Sequence, residues 1–421
     1  MMKTIAIAPG INLRAMQTDK FKTACFSVNF LRPHNADDAS ADALLPSVLL
    51  RATERYPDIR SISMQLDALY GATIGTLIRR KGEVKLVGFY ADFVEDAFLP
   101  EGESVFAPIL DMIEELLYHP LTENGVFCKQ NVEGEKQNLI NAIESEMNDK
   151  RTYAVAQMLR SMCKDEAYGV PRLGRADDVR AITPQSLWEH YQNVLKTSRI
   201  ELFYAGRKSP EEAAEAFRTL FAGKQPECCV PVETKVIRTA EKVCELSQSM
   251  DVTQGKLVIG LRTGITVEDA DYPALLLLNA VYGAGVTSKL FVNVREKLSL
   301  CYYASSSLEK NKGVMIVSSG VDFQNFETAK TAILKELDDC KQGVISSEEL
   351  ESARRAVLSA LRASQDAPVQ LDEFYMGAAI AKMDDFALLT EKVEALTAAD
   401  LTAAARKLTV DTIYFLKGEA Q

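Results

Sequence analysis

The sequence predicts an α+β fold that occurs twice along the chain. Strand-like runs mix with long helical periodicities, a segment near the end of the first half recurs near the end of the second, and the length suits two domains. Of the 421 residues, 47% are hydrophobic. That composition supplies apolar side chains for two cores, in domains of about 200 residues each.

The individual elements follow from periodicity. Residues 24–30 alternate apolar with small or polar residues, as expected of a half-buried strand. Residues 84–90 follow a turn at Gly82 and also predict a strand, which Gly88 weakens. The first residues, up to a turn at Pro9 and Gly10, also form a predicted strand. Between 106 and 117 the apolar residues recur every three or four positions, which predicts a helix with one buried face.

The two halves end in similar segments. Residues 179–187 read VRAITPQSL, and residues 393–401 read VEALTAADL. In each segment a threonine, Thr183 or Thr397, precedes a predicted helix and can accept hydrogen bonds from the free amides of its first turn. Each helix leads to a closing strand, at 200–204 and at 412–416. The repetition indicates a duplicated domain.

A linker separates the two predicted domains. Residues 223–226 and Pro231 interrupt regular structure with glycine and proline. We therefore predict a first domain at 1–222, a linker at 223–245 and a second domain at 246–421.

Composition argues against several classes of partner. The formal net charge of −11 argues against nucleic acid, because phosphate binding requires a concentrated basic surface. The short basic run at 79–81 is predicted to be a solvated turn. No apolar run approaches the roughly 18 residues of a membrane span, and the apolar stretch at the start is too short for a signal peptide. The eight cysteines include no Cys-x-x-Cys pair, which argues against a metal site, and since the start does not resemble a secretion signal we expect reduced thiols and a cytoplasmic location.

Residues 43–57 carry a family resemblance. They read ALLPSVLLRATERYP and resemble the opening helix of the insulinase/pitrilysin metallopeptidases. In that family the helix carries a His-x-x-Glu-His motif, whose histidines bind zinc and whose glutamate is the general base. The alignment puts Ala43 and Ser47 at the histidine positions and Pro46 at the glutamate position. None of these three side chains can replace the family residue.

The resemblance continues through most of the chain. The family's third zinc ligand is a glutamate seven residues after another glutamate; here Glu135 is present, but the ligand position is Ala142. The strongest similarity lies in the second half, at 283–291 and 294–302. The resemblance implies two similar domains, each a mainly antiparallel sheet packed against helices, with a degenerate zinc site in the first.

Arg295 and Tyr302 are the candidate functional residues. The resemblance implies that this pair reaches from the second domain toward a zinc centre in a first domain, which in two-domain members belongs to the partner subunit. A guanidinium and a phenol can donate to the oxyanion of peptide hydrolysis. Spacing alone leaves open that Arg295 is a surface residue and that Tyr302 belongs to a strand, with Tyr303 on the opposite face.

The histidines and glycines suggest no other active site. His34 lies in a polar run that we predict to be a solvated loop, and His119 and His190 are predicted to be structural. The glycine-rich loop at 282–285 lacks the full pattern of a nucleotide site and is predicted to let a helix begin close to a strand. A peptide would add to a sheet edge as an extra strand, for which the resemblance favours residues 73–90.

Two classes of function follow. The chain resembles the non-catalytic subunit of processing-peptidase-like heterodimers, which implies a zinc-free subunit that lends Arg295 and Tyr302 to a partner's zinc site in the proteolysis of peptides. The partner would be a homologous chain with an intact motif, or a second copy of this chain. The alternative is a peptide-binding or scaffolding protein with no role in hydrolysis. We expect no cofactor in this chain, zinc in the partner, and no contact with nucleic acid or membranes.

Overall fold

A computed structural model describes residues 2–418. The strands in this range are β1 Met2–Ala8, β2 Ile11–Gln17, β3 Thr23–Pro33, β4 Thr73–Lys81, β5 Val84–Val94, β6 Thr122–Glu123, β7 Val126–Phe127, β8 Arg199–Gly206, β9 Cys244–Met250, β10 Gly255–Arg262, β11 Cys301–Glu309, β12 Val314–Val321 and β13 Thr409–Gly418. The α-helices are α1 Ala39–Leu49, α2 Ile59–Ala68, α3 Phe106–Tyr118, α4 Lys129–Ser145, α5 Lys150–Met162, α6 Ala176–Ala181, α7 Pro184–Thr197, α8 Pro210–Leu220, α9 Tyr272–Tyr282, α10 Phe326–Lys341, α11 Ser347–Ser364, α12 Pro368–Ala378, α13 Phe386–Ala395 and α14 Ala398–Lys407. A π-helical segment occupies Leu290–Lys297.

The described residues divide into two compact units. Unit 1 comprises residues 2–144, 170–233 and 367–380, and unit 2 comprises residues 145–169, 234–366 and 381–418. The units differ from the predicted domains in two segments, 145–169 and 367–380. Segment 145–169 comes from the first half of the chain but belongs to unit 2. Segment 367–380 comes from the second half but belongs to unit 1. The division at 233 lies inside the segment that we predicted as a linker.

Unit 1 is built on a six-stranded sheet in the order β1-β2-β8-β3-β5-β4. Only the β2–β8 pair is parallel, and all other neighbours are antiparallel. Alternate residues of the central strands pack with α1, α3, α7 and α8 in one hydrophobic core. The strands predicted at 24–30, 84–90 and 200–204 and the helix predicted at 106–117 are confirmed as β3, β5, β8 and α3.

Unit 2 repeats this arrangement. Its five-stranded sheet has the order β11-β12-β10-β13-β9, with β13–β9 as the parallel pair. Read from the other end, the sheet matches β2-β8-β3-β5-β4 of unit 1 in strand order and in the place of the parallel pair. The predicted α+β fold, made twice from mainly antiparallel sheets packed with helices, is confirmed.

The two equivalent helices before the closing strands begin directly after the predicted threonines. The Thr183 hydroxyl accepts a hydrogen bond from the Ser186 amide at 3.1 Å, and Pro184 is the first residue of α7. Thr397 precedes α14, where Asp400 accepts a hydrogen bond from the Thr397 amide at 2.8 Å. Each helix then leads to the strand that lies beside the parallel partner in its sheet.

A helix from a distant part of the chain covers the second face of each sheet. In unit 2 this helix is α5, whose apolar residues form a separate core with β10, β12 and β13. Gly260 of β10 lies under α5, and a Cβ atom there would come within 2.6 Å of the sulfur atoms of Met158 and Met162. In unit 1 the helix is α12, where the Tyr375 ring stacks on the Phe203 ring of β8 with centroids 6.2 Å apart.

Buried charges attach α5 to its sheet. Glu166, just after α5, lies 2.7 Å from Arg262 Nη2 and 2.6 Å from Lys312 Nζ, and these three side chains are at most 2% exposed. Arg262 Nε also lies 2.8 Å from Asp411 of β13. Burial by itself would raise the pKa of the Glu166 carboxyl, but hydrogen bonds from Arg262 and Lys312 outweigh it and hold that pKa below its ordinary value.

Ion pairs also attach α12 to the sheet of unit 1. The buried Asp372 accepts a hydrogen bond from the Ser27 hydroxyl at 2.6 Å and forms an ion pair with Arg79. Lys81 forms an ion pair with Glu373. The prediction that residues 79–81 form a solvated turn is therefore wrong. These residues end β4, and carboxylates from a sequence-distant helix neutralise two of their charges.

We predict that Glu166→Gln lowers the free energy of unfolding by about 3–5 kcal/mol, because it leaves Arg262 and Lys312 buried without their shared carboxylate. Urea denaturation measures the loss. The lowered pKa of Glu166 means that its contribution is present above the ordinary glutamate pKa and disappears as the pH falls through the folded-state pKa. Wild type and variant should therefore converge in stability at acidic pH.

The matched control is Asp269→Asn. Asp269 pairs with Arg238 at 3.0 Å, but the two side chains are 32% and 52% exposed, so the substitution should cost about 1 kcal/mol or less. Equal costs for the two variants would contradict a structural role for the buried charges.

Candidate functional site

The four positions that the alignment assigns to the zinc site lie on α1 and α4. Ala43 is 1% exposed and packs in the core of unit 1, and Pro46 is buried beside a small apolar cavity. Ser47 is half-buried, and Ala142 lies on an exposed part of α4. Zinc in proteins is bound by thiolate, imidazole or carboxylate groups. Two methyl groups, a pyrrolidine ring and a hydroxyl do not fit the metal.

Carboxylates near these positions form ion pairs with arginines. Glu135, the family glutamate that is present, lies 3.3 Å from Arg51 Nε. Asp42 precedes Ala43 and is fully buried, and its Oδ1 lies 2.9 Å from Arg32 Nε. Sequence reasoning missed Arg32 and Arg51, because each pairs with a residue on a different element and no local pattern marks such a pair.

His34 and His190 of unit 1 contact different residues. The prediction that His34 lies in a solvated loop is wrong: it is 2% exposed, and its Nε2 lies 3.0 Å from the Val170 carbonyl oxygen. Burial lowers the pKa of His34 to about 4. His190 Nε2 lies 2.9 Å from Asp42 Oδ1. Within residues 2–418 no three His, Cys, Asp or Glu side chains are grouped to hold a metal ion.

Arg295 and Tyr302 meet on the surface of unit 2. Arg295 Nε donates a hydrogen bond to the Tyr302 carbonyl oxygen at 2.9 Å. The guanidinium carbon lies 4.6 Å from the centroid of the Phe291 ring, and Nη1 lies 3.2 Å from the Glu296 carboxylate. The Tyr302 side chain is 62% exposed, with its hydroxyl 3.4 Å from Asp322. The structure thus brings these two predicted residues together and leaves a cation and a phenol accessible.

The backbone around this pair is irregular at three points. Arg295 lies in the π-helical segment 290–297, which is a rare conformation. Ser299 has a positive φ of 49°. Tyr302 is the extra residue of a β-bulge, because Cys301 and Tyr303 pair with the consecutive residues Val321 and Gly320. Irregular backbone of these kinds occurs often at functional sites.

Buried polar contacts hold the π-helical segment in place. Lys289, just before it, is 5% exposed and lies 2.8 Å from Glu349 of α11. Asn293 donates a hydrogen bond to Glu336 of α10 at 2.9 Å. At Gly283 a Cβ atom would lie 2.5 Å from the Ser306 hydroxyl oxygen of β11. Gly283 therefore allows close approach to β11 as predicted, but it follows the end of α9 and does not begin a helix.

The strand β4 forms one edge of the sheet in unit 1. It pairs with β5 alone, and β5 lies inside the sheet between β4 and β3. Of the residues favoured for peptide addition, 73–81 therefore lie at an edge and 84–90 do not. Near the end of β4, Arg172 donates a hydrogen bond to the Ile78 carbonyl oxygen at 2.7 Å. Thr73 and Gly75, at its start, are exposed.

Comparison with known proteins identifies the family. Residues 181–357 match the peptidase M16 inactive domain. Over 413 residues the chain is 32% identical to a probable inactive metalloprotease, YmfF, of Bacillus subtilis (strain 168), across 97% of this chain and 96% of that protein. The chain belongs to the M16 (insulinase/pitrilysin) peptidase family. Since the domain and the relative are both described as inactive, they support a non-catalytic, peptidase-like protein.

Solved structures of M16-like proteins have the same fold. A conserved protein from Enterococcus faecalis V583 is 27% identical, with a TM-score of 0.91 over 100% of this chain and 99% of that chain. A peptidase M16 inactive domain from Pseudomonas fluorescens is 16% identical, with a TM-score of 0.80 over 100% and 98%. Within the described part of this M16 chain, no helix has the length and hydropathy of a transmembrane segment.

We predict that the purified chain binds zinc at well below one ion per chain, because Ala43, Pro46, Ser47 and Ala142 offer no imidazole or carboxylate. Plasma mass spectrometry after dialysis against zinc measures the content, and an M16 relative with an intact motif is the positive control. One tightly held zinc per chain would show that the alignment of the zinc positions is incorrect.

Proposed function

We propose that this M16 chain is a zinc-free subunit of a peptidase and lends Arg295 and Tyr302 to the active site of a partner subunit. The supporting observation is the contrast between its two units. The zinc positions of unit 1 hold apolar and hydroxyl side chains, whereas unit 2 presents Arg295 and Tyr302 together on irregular backbone. The partner would be a homologous chain with an intact motif, which supplies the zinc and the general base.

The geometry of the pair suits stabilisation of negative charge. The Nε bond to the Tyr302 carbonyl limits the directions in which the guanidinium can point, and its Nη1 atom lies 3.2 Å from the Glu296 carboxylate. Donors that are held in place before the reaction stabilise an oxyanion without reorganisation. Glu296 is the only carboxylate that pairs with Arg295 among the described residues, and it is 56% exposed, so an anionic group can compete with it.

The peptide in this proposal binds along the start of β4. A strand added there would gain main-chain hydrogen bonds whatever its sequence. The exposed Gly75 has no atom within 4 Å of the place where a Cβ would be, so the strand surface is open at that point. Asp372 of α12 and Arg172 contact β4 near its end, at Arg79 and at the Ile78 carbonyl, so they do not cover its start.

We predict that Arg295→Ala and Tyr302→Phe each lower kcat of the reconstituted two-subunit complex by about 10²–10³-fold, because each removes a donor to the oxyanion. KM should change less than kcat, since the interaction forms mainly in the transition state. Hydrolysis of a quenched fluorescent peptide by the mixture measures both constants.

Two substitutions serve as matched controls. Arg355→Ala removes an exposed arginine whose guanidinium donates a hydrogen bond to Ser352, and Lys242→Ala removes an exposed lysine. Both should leave kcat unchanged. Full activity of the Arg295→Ala complex would instead favour a scaffolding protein with no role in hydrolysis, and activity of this chain alone would contradict the proposal.

A further inference from the structure

A cleft of about 490 Å³ in unit 2 collects three basic side chains. It is lined by residues 148–151, at the start of α5, by residues 251–254, which lead into β10, and by Lys256 of β10. The basic side chains are Lys150, Arg151 and Lys256. Among the described residues, no carboxylate lies within 4.0 Å of the basic nitrogens of these three. Such a group is unexpected in a chain with a net charge of −11, where acidic partners are abundant.

One aromatic ring brings two of these cations together. The Arg151 guanidinium carbon lies 4.1 Å from the Tyr303 ring centroid, and Lys256 Nζ lies 6.0 Å from the same centroid. Arg151 also donates a hydrogen bond to the Ser305 hydroxyl at 3.1 Å. Burial lowers the pKa of Lys256, and the Arg151 charge adds to this effect against the opposing charge of Asp149. An anion between the two cations would relieve their repulsion.

The acidic side chains of the cleft limit the charge that it can accept. Asp149 caps α5: it accepts hydrogen bonds from the Arg151 and Thr152 amides at 3.0 and 3.3 Å and from the Thr152 hydroxyl at 2.6 Å. Asp251 is exposed at the other side of the cleft. Three basic and two acidic groups leave one net positive charge, which suits one carboxylate better than a phosphate dianion.

We propose that this cleft binds a single carboxylate of a peptide, held by Arg151 and Lys256 beside the Tyr303 ring. The proposal rests on the proposed function in one respect, because it takes the ligand to be the peptide. Tyr303 directly follows Tyr302 in β11, so the ring beside the cleft and the exposed phenol are carried by consecutive residues of one strand. An acidic side chain and a C-terminal carboxylate share the required chemistry. The cleft would give this subunit a preference for peptides that carry one of them.

Fluorescence anisotropy with the full chain tests the preference directly. The probes are three labelled peptides of about ten Ala and Thr residues: one with a central Glu and an amidated C-terminus, its Gln isostere, and the Gln peptide with a free C-terminal carboxylate. We expect the Glu peptide or the free-carboxylate peptide to bind about tenfold more tightly than the amidated Gln peptide, as a charge-assisted hydrogen bond predicts. Which of the two gains affinity identifies the source of the carboxylate.

Substitutions in the cleft should remove the preference for peptides with a carboxylate and leave the weaker binding of the amidated Gln peptide unchanged. In Arg151→Gln and Lys256→Gln, all three peptides should bind as weakly as the amidated Gln peptide binds to wild type. Arg355→Gln and Lys242→Gln, at exposed positions outside the cleft, should keep the tenfold difference. Circular dichroism of each variant checks that it folds.

Three results would overturn the proposal. Equal binding of the three peptides to wild type would refute the carboxylate site, while leaving the role of Arg295 to the hydrolysis assay with the partner. A tenfold preference that persists in Arg151→Gln and Lys256→Gln would refute these residues as its cause. Failure of all three peptides to bind would refute the cleft together with peptide capture by this chain alone, and a loss of activity in the Arg295→Ala complex would still support the shared active site.

Discussion

Each sheet depends on buried charges that attach one sequence-distant helix to its second face. Apolar residues on both faces of a central strand require a layer on each side. In unit 2 the layer is α5, and its attachment uses two cations, Arg262 and Lys312, and two carboxylates, Glu166 and Asp411. Because the charges balance and all have partners, their attraction offsets the cost of removing them from water, whereas the loss of one would leave another uncompensated.

Unit 1 meets the same constraint with different residues. The α12 carboxylates of Asp372 and Glu373 pair with Arg79 and Lys81 of β4. The helix that belongs to the other unit is the third α-helix after a hairpin at the sheet edge in each half of the chain: α5 after β4–β5, and α12 after β11–β12. This correspondence is consistent with duplication of one ancestral unit. Apolar packing has no preferred direction, but ion pairs do, so they constrain how the helix lies on the sheet.

The segment after β3 in unit 1 and the equivalent segment after β10 in unit 2 differ in backbone regularity. In unit 1, Ala43 and Pro46, two of the positions that the alignment assigns to the zinc site, are buried in α1. In unit 2, the segment after α9 contains a π-helix, a positive φ at Ser299 and a bulge at Tyr302. A residue with strained φ and ψ costs about 1–3 kcal/mol. Three irregularities within a few residues of Arg295 are the physical reason for our functional proposal.

The sequence by itself determined the features that depend on near neighbours: the strands, the cap of α7 at Thr183, the duplicated α+β fold and the family. It also identified Arg295 and Tyr302 as a pair, because they are close in the chain and lie in the segment most similar to the family. Only the tertiary structure decided which unit holds α5 and α12 and where the basic cleft lies. It also decided that Arg79 and His34 are shielded from solvent, although their polar sequence neighbours predicted exposure. Those features depend on charges and carbonyl groups that meet across long separations in sequence, which local patterns do not record.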